Sequence, residues 1–156
     1  MLGLMTITAH ILVGGAIASS IPNPYIGIPL SLVSHHVLDI IPHWDEGWGW
    51  RQKPKFRLFA ESFFDLALGL LAGYLMFVQY GFFGLQTNLN YFLVCSFFSV
   101  AADLMEAPYL FLNWRFPPFS TFYNIQHQLQ GKAKLPWGVL TQVATVGAVV
   151  LVLKFF

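Results

Sequence analysis

Of the eight Lys and Arg residues in this chain of 156, all but Lys154 fall into two connections between apolar runs. Arg51, Lys53, Lys55 and Arg57 form one group; Arg115, Lys132 and Lys134 form the other. The runs extend over about Thr6 to Ser20, Tyr25 to Ile41, Leu58 to Phe83, Tyr91 to Trp114 and Trp137 to Phe156. Each of the last three reaches the roughly 20 apolar residues that a helix needs to cross a bilayer. The first two are shorter and meet at SSIPNPY, whose prolines flank an Asn in a strong turn signal. They predict a hairpin that is tilted, partly re-entrant or shielded by other helices, with Pro29 in the first turn of its second arm. A spanning chain must pair its backbone internally, so the expected fold is all-α. It is a polytopic integral membrane bundle of about five helices in a single domain, 1–156.

Composition agrees with lipid as the solvent. The chain is 56% hydrophobic and 10% charged, against about 25% charged in soluble domains. Trp44, Trp48 and Trp50 in HWDEGWGWRQKPKF are expected as headgroup anchors, with Asp45 and Glu46 solvated. A formal net charge of +1 and the lack of a basic patch with interleaved stacking aromatics argue against nucleic acid as a partner. The single cysteine, Cys95, lies inside an apolar run and reads as a packing residue. No Lys or Arg precedes the first run and no small-residue cleavage pattern follows it, so the first helix is expected to persist in the mature protein. After the Pro-Pro break, RFPPFSTFYNIQHQLQGKAKLP predicts a short surface helix.

Five sequential crossings would place the N-terminus and both basic connections on one side, and the first and third connections contain no Lys or Arg. The positive-inside rule then predicts a cytoplasmic N-terminus and an external C-terminus, with Lys154 snorkelling at a helix end.

Ionisable side chains inside a membrane are costly and are candidates for function. In this topology they converge on the cytoplasmic side: His10 on the first helix, His35, His36, Asp39 and His43 on the second, Glu61 and Asp65 on the third, Asp103 and Glu106 on the fourth, and His127 in the following connection. The densest element is SHHVLDIIPHWD, where His35 and Asp39 lie one helical turn apart and His43 follows a turn later. His36, Asp39 and His43 form an equally good stripe, so spacing leaves His35 and His36 as alternatives. A mixed nitrogen and oxygen donor set suits a divalent metal, Zn most readily, with Mn or Fe also compatible. Taken singly, the same residues serve as helix caps or as partners for loop cations.

The succession AHILVGGAIAS, SHHVLDIIPHWD, ESFFDLALGL and AADLMEAP resembles the small bacterial membrane-bound metal-dependent hydrolases grouped with zinc-dependent phospholipase C. The resemblance covers the hairpin well, helices three and four loosely and the last helix hardly at all. It implies a location in the bacterial inner membrane. It also implies that the His-x-x-x-Asp ligand pair maps onto His35 and Asp39, with His10, His43, Asp65 and Asp103 as further ligands. His127, the only histidine on the later part of the chain, where soluble zinc phospholipases carry more, is the remaining candidate ligand.

On this basis the expected activity is metal-assisted hydrolysis of a lipid ester or phosphodiester at the cytoplasmic headgroup level, with Asp65 or Asp103 completing the metal shell or bridging a second ion and a spare carboxylate, Glu106 among them, as general base. Metal-free hydrolysis finds little support: there is no G-x-S-x-G, and Cys95 lies in apolar sequence. No P-loop or dinucleotide fingerprint occurs, and Gly14-Gly15 reads as a close helix contact. The alternative is a non-catalytic membrane protein in which the polar cluster holds a structural metal, ties helices together or handles ions or protons.

Overall fold

The computed structural model describes residues 7–44 and 49–155; Asp45, Glu46, Trp48 and the side chain of Trp50 lie outside that description. Its elements in chain order are α1 (Ile7–Ser20), α2 (Pro24–Ile40), α3 (Lys55–Gly73), α4 (Leu89–Ser99), α5 (Ala101–Leu112), α6 (Phe119–Leu129) and α7 (Trp137–Lys154). A wider helical turn, Tyr74–Gln79, extends α3. Among the described residues there is no strand, only a bridge of parallel sense between His43 and Lys132.

Lys55–Gln79 and Trp137–Lys154 are long and apolar enough to cross a membrane. α4 and α5 make a third candidate if they are one span broken by a bend of 52° at Val100. The expectation of about five crossings is therefore met by two or three helices. α1, with 14 residues, is only about 21 Å long at 1.5 Å per residue, well short of the roughly 30 Å hydrocarbon core. The last three apolar runs do become the candidate spans, and the connection after Pro117-Pro118 does form a helix, α6.

Instead of facing lipid, α1 is the central post. It packs against α2, α3, α4 and α7, and all but four of its 14 residues are buried. Small residues make this possible, because helices in an apolar solvent associate through close packing rather than hydrophobic exclusion. A Cβ on Gly14 would stand 2.9 Å from Ser99 Oγ and 3.0 Å from the Cys95 carbonyl oxygen of α4. One on Gly15 would enter the ring of Phe77, and one on Gly69 of α3 would come within 2.9 Å of Thr8 Cα. The glycine pair is thus a close helix contact, and Cys95 is buried beside it.

The outward faces are apolar. Phe59, Phe63, Phe64, Leu68 and Leu71 on α3 are exposed, as are Leu140, Val143, Leu151 and Val152 on α7. α2 shows the same two-faced order: Gly27, Ser31, His35 and Asp39 form a buried stripe at four-residue spacing, while Ile26, Leu30, Val33, Val37 and Ile40 are exposed. Its start is fixed by Asn23, whose side chain accepts from the Tyr25 N–H at 3.0 Å, and by Pro24 at the first helical position. Pro29 lies inside α2 rather than in its first turn.

Candidate metal centre

Three helices, α1, α2 and α5, and the segment that follows α2 bring polar side chains together at one end of the bundle. Asp39 is the hub: Oδ1 lies 3.3 Å from His10 Nε2 and 3.9 Å from His43 Nε2, and Oδ2 lies 3.2 Å from His35 Nε2. Asp103 Oδ1 from α5 stands 3.7 Å from His35 Nε2. His10, His35, Asp39 and His43 are all buried, whereas Asp103 is half-buried.

Each position has a local cause. α1 opens at the cluster because its first amides are capped across the bundle by Asp65 of α3. The Asp65 carboxylate accepts from the Ile7 N–H at 2.8 Å and from Thr8 Oγ1 at 2.6 Å, the placement that favours an anion at a helix N-terminus. His10 then sits less than a turn into α1, facing α2. His35 and Asp39 project from the buried stripe of α2, one turn apart. His43 follows the end of α2 at Pro42 and is held by backbone pairing with the segment before α7: Gly131 N–H donates to Asp39 O (2.7 Å), His43 N–H to Gly131 O (3.2 Å) and Ala133 N–H to His43 O (2.9 Å). A Cβ on Gly131 would fall on the Ile40 carbonyl oxygen, so this approach requires glycine.

The break at Val100 serves the site twice. It redirects α5 so that Asp103 reaches His35, and it leaves the Ser99 carbonyl at the end of α4 to accept from His35 Nδ1 at 2.8 Å. His43 Nδ1 likewise donates to the Ile41 carbonyl at 2.8 Å. A carbonyl can only accept, so in the neutral rings Nδ1 carries the proton and each Nε2 turns its lone pair towards the carboxylates. Lone pairs facing anionic oxygens repel unless a proton or a metal ion lies between them, and at His35 Nε2 the Gln126 amide nitrogen also stands 2.9 Å away.

The spacing of these atoms suits such an ion. Tetrahedral bonds of about 2.0–2.1 Å set ligand atoms roughly 3.3–3.4 Å apart. The 3.3 Å from His10 to Asp39 Oδ1, the 3.2 Å from His35 to Asp39 Oδ2 and the 3.7 Å from His35 to Asp103 lie near that edge, a range they share with ordinary His–carboxylate pairs. His10, His35 and Asp103 offer ligand atoms that all lie within 4.8 Å of one another, a group that could hold a metal ion. Asp103 Oδ2 and His43 Nε2 are buried and have no hydrogen-bond partner among the described residues.

Of the residues singled out from the sequence, His10, His35, Asp39, His43 and Asp103 converge. Asp65 is engaged at the N-terminus of α1, adjacent to His10's helix start rather than within the cluster. His127 is exposed and stacks on Tyr123 with ring centroids 5.6 Å apart, and Glu106 is half-buried. Both line a cavity of about 580 Å³ whose floor includes His10, Asp39 and Asp103. Glu61 is paired with Lys53 at 2.7 Å and Arg57 at 2.8 Å. Of the two adjacent histidines, His35 is the one in the cluster; His36 is half-exposed and meets the His35 ring edge-on at 5.2 Å.

Two glutamines escaped the sequence reading. Gln126 of α6 donates to Asp103 Oδ1 at 3.1 Å and places its amide nitrogen 2.9 Å from His35 Nε2. Gln142 of α7 donates to the Trp44 carbonyl at 2.9 Å. Both are buried. The one available signal for Gln126 was its place one turn from Tyr123 on the inner face of an amphipathic helix. The chain matches no protein-family model, no curated protein and no solved structure.

Proposed function

We propose that this chain is a membrane-embedded metal-dependent hydrolase that cleaves a lipid ester or phosphodiester. The observation that carries the reading is the meeting of two unlike surfaces: an acceptor-rich floor of buried His and Asp opens directly into a large cavity with apolar walls. Leu58, Phe59, Phe63, Leu66, Leu104 and Phe111 line that cavity above His10, Asp39 and Asp103. Apolar pockets with a few convergent polar groups are typical of ligand sites, and these walls fit a hydrocarbon chain whose polar end rests on the floor.

His10, His35, Asp39 and Asp103 would hold the ion, and the donor set of imidazole and carboxylate favours Zn, with Mn or Fe as substitutes. When bound, a divalent ion supplies Lewis acidity towards a phosphoryl or carboxyl oxygen and a more acidic water. Ser99 and Ile41 orient the rings, as outer partners of metal-ligating histidines do. Glu106, on the cavity wall one turn along α5 from Asp103, accepts the proton of the attacking water and returns it to the leaving oxygen. The basic residues support a headgroup-level site on the cytoplasmic side. Lys53 and Arg57 bind Glu61, Arg51 reaches Tyr123 Oη at 3.2 Å, and Lys132 adjoins His43, all at the same end as the cluster. On this reading the N-terminus lies inside and the C-terminus outside.

The test is metal content of detergent-purified full-length protein by elemental mass spectrometry, wild type against a His35→Ala, Asp39→Ala double variant. Stoichiometric Zn or Mn that disappears in the variant, together with metal-dependent turnover of lipid esters or phosphodiesters in mixed micelles, supports the hydrolase. Metal without turnover favours a structural metal, and wild type that stays metal-free after reloading with Zn and Mn leaves a polar cluster that ties the helices together or handles protons.

A further inference from the structure

A second cavity, about 20 Å³, lies against the cluster and shares only His10 and Asp39 with the large one. Its other polar walls are His43 and Gln142, with Thr145 and apolar side chains of α1, α2 and α7 closing it. Three residues of its lining carry a buried atom with no hydrogen-bond partner among the described residues: His10 (Nδ1), His43 (Nε2) and Gln142 (Oε1). The orientations of His43 and Gln142 have local causes. The Ile41 carbonyl takes the Nδ1 proton of His43, and the Trp44 carbonyl takes a hydrogen of the Gln142 amide, so each residue turns an acceptor inward. Asp39 Oδ1 adds a third acceptor, 3.9 Å from His43 Nε2.

We propose that this void is a second divalent-cation site, held by His43 Nε2, Gln142 Oε1 and Asp39 Oδ1, so that Asp39 bridges two ions. The inference rests on the metal-centre reading above and extends it from one ion to two. The volume holds a single small species, since a water needs roughly 10–15 Å³. A water offers two hydrogens, enough for His43 Nε2 and Gln142 Oε1, whereas a cation also draws on Asp39 Oδ1, which already faces His10 Nε2 at 3.3 Å. One imidazole with two oxygens is a donor set for Zn or Mn. The carboxylate geometry fits a bridge: Oδ2 faces His35, while Oδ1 lies between His10 and His43. The backbone pairing of 131–133 with 39–43, and the Thr141 Oγ1 bond to the Pro42 carbonyl at 2.5 Å, fix α7 against this side of the cluster and bring Gln142 into reach.

The experiment counts ions. Purified full-length protein in detergent is saturated with Zn or with Mn, freed of excess and assayed for metal per chain, alongside Gln142→Leu, Gln142→Glu and His43→Ala. The proposal expects about two equivalents in wild type and about one in Gln142→Leu and His43→Ala. Gln142→Glu, which puts a charged oxygen where the amide oxygen stands, keeps both and resists a competing chelator longer than wild type. A glutamine that merely braces the Trp44 backbone would give no such gain. One equivalent in wild type, unchanged in Gln142→Leu and His43→Ala, overturns the second site and leaves the hydrolase reading intact. No metal in wild type overturns both.

Discussion

His35 Nδ1 lies 2.8 Å from the carbonyl oxygen of Ser99, the last residue of α4 before the chain bends by 52° into α5. One irregularity in a helix thereby sets the tautomer of the histidine at the centre of the cluster and aims the following helix at it. His35 has no surface exposure, whereas His36, its neighbour on α2, is half-exposed. Replacing each in turn separates position from residue type. His35→Ala is expected to lose the ion shared with His10 and Asp103, while His36→Ala keeps metal content and chelator resistance near wild type. Equilibrium dialysis with radioactive zinc reads both; equal losses in the two variants would count against the assignment.

How far the sequence reached follows from what kind of information each residue carries. His35 and Asp39 stood out because α-helical spacing puts residues four apart on one face. The choice against His36 needed to know which face of α2 is buried, and the exposed Val33, Val37 and Ile40 decide that only once neighbours are placed. Apolar length pointed to three long runs, but nothing in FSVAADLM announces that the helix breaks at Val100; no proline or glycine stands there. Of the five apolar runs, the first two leave the count of crossings open: their shortness allowed a tilted, re-entrant or shielded hairpin, and length alone could not choose among these, whereas α1 is seen to be buried. The glutamines stayed hidden because amides belong equally to surfaces, and their role depends on contacts across long sequence separations, such as Gln126 with His35.

Gln126 bonds Asp103 at 3.1 Å and crowds His35 Nε2 at 2.9 Å, so it sets the position of the Asp103 carboxylate from α6. Removing an outer hydrogen-bond partner of a metal ligand typically costs about 10–100-fold in metal affinity. Gln126→Leu is expected to weaken binding by that order without changing the number of ions held at saturation. Titration against a chelator of known affinity gives both quantities from one experiment. A drop in stoichiometry would instead make Gln126 itself a ligand.

Asp65 offers the opposite contrast, a buried acid beside the site whose oxygens go to the start of α1. Asp65→Asn should keep bound metal and lower stability. Losing a charge-assisted bond to a buried helix start costs about 1–3 kcal/mol. Thermal unfolding in detergent, followed beside the metal content of the folded fraction, checks this. If the folded variant lacks metal, Asp65 acts on the ion after all.

Gly131 has no room for a side chain: a Cβ would meet the Ile40 carbonyl and stand 2.9 Å from Pro42 N. Gly131→Ala must therefore push 131–133 away from 39–43 and slacken the pairing that holds His43, while His10, His35 and Asp103 lie on other elements. The expected outcome is loss of the His43-dependent ion with the other retained, at a stability cost of about 1–3 kcal/mol for overpacking. Metal counts in Gly131→Ala and wild type, each after Zn saturation, decide it. A full complement of metal in Gly131→Ala would mean the backbone pairing does not position His43.

The apolar cavity makes the last prediction, because its walls and its floor can be changed separately. Ala107 follows Asp103 by one turn of α5 and lines the cavity, without appearing among the atoms of the polar cluster. Ala107→Trp fills part of the roughly 580 Å³ space with an indole but leaves the ligand set in place. If the cavity holds an acyl chain, the variant binds metal like wild type and loses turnover of long-chain esters, chiefly through a higher KM. Short-chain or water-soluble esters, which need only the floor, keep turnover within a few-fold of wild type. Initial rates across a series of acyl lengths give the comparison directly. Were long and short substrates to fall together, the indole would have disturbed the floor or the chain would lie elsewhere; were neither to fall, the cavity would not be the substrate site.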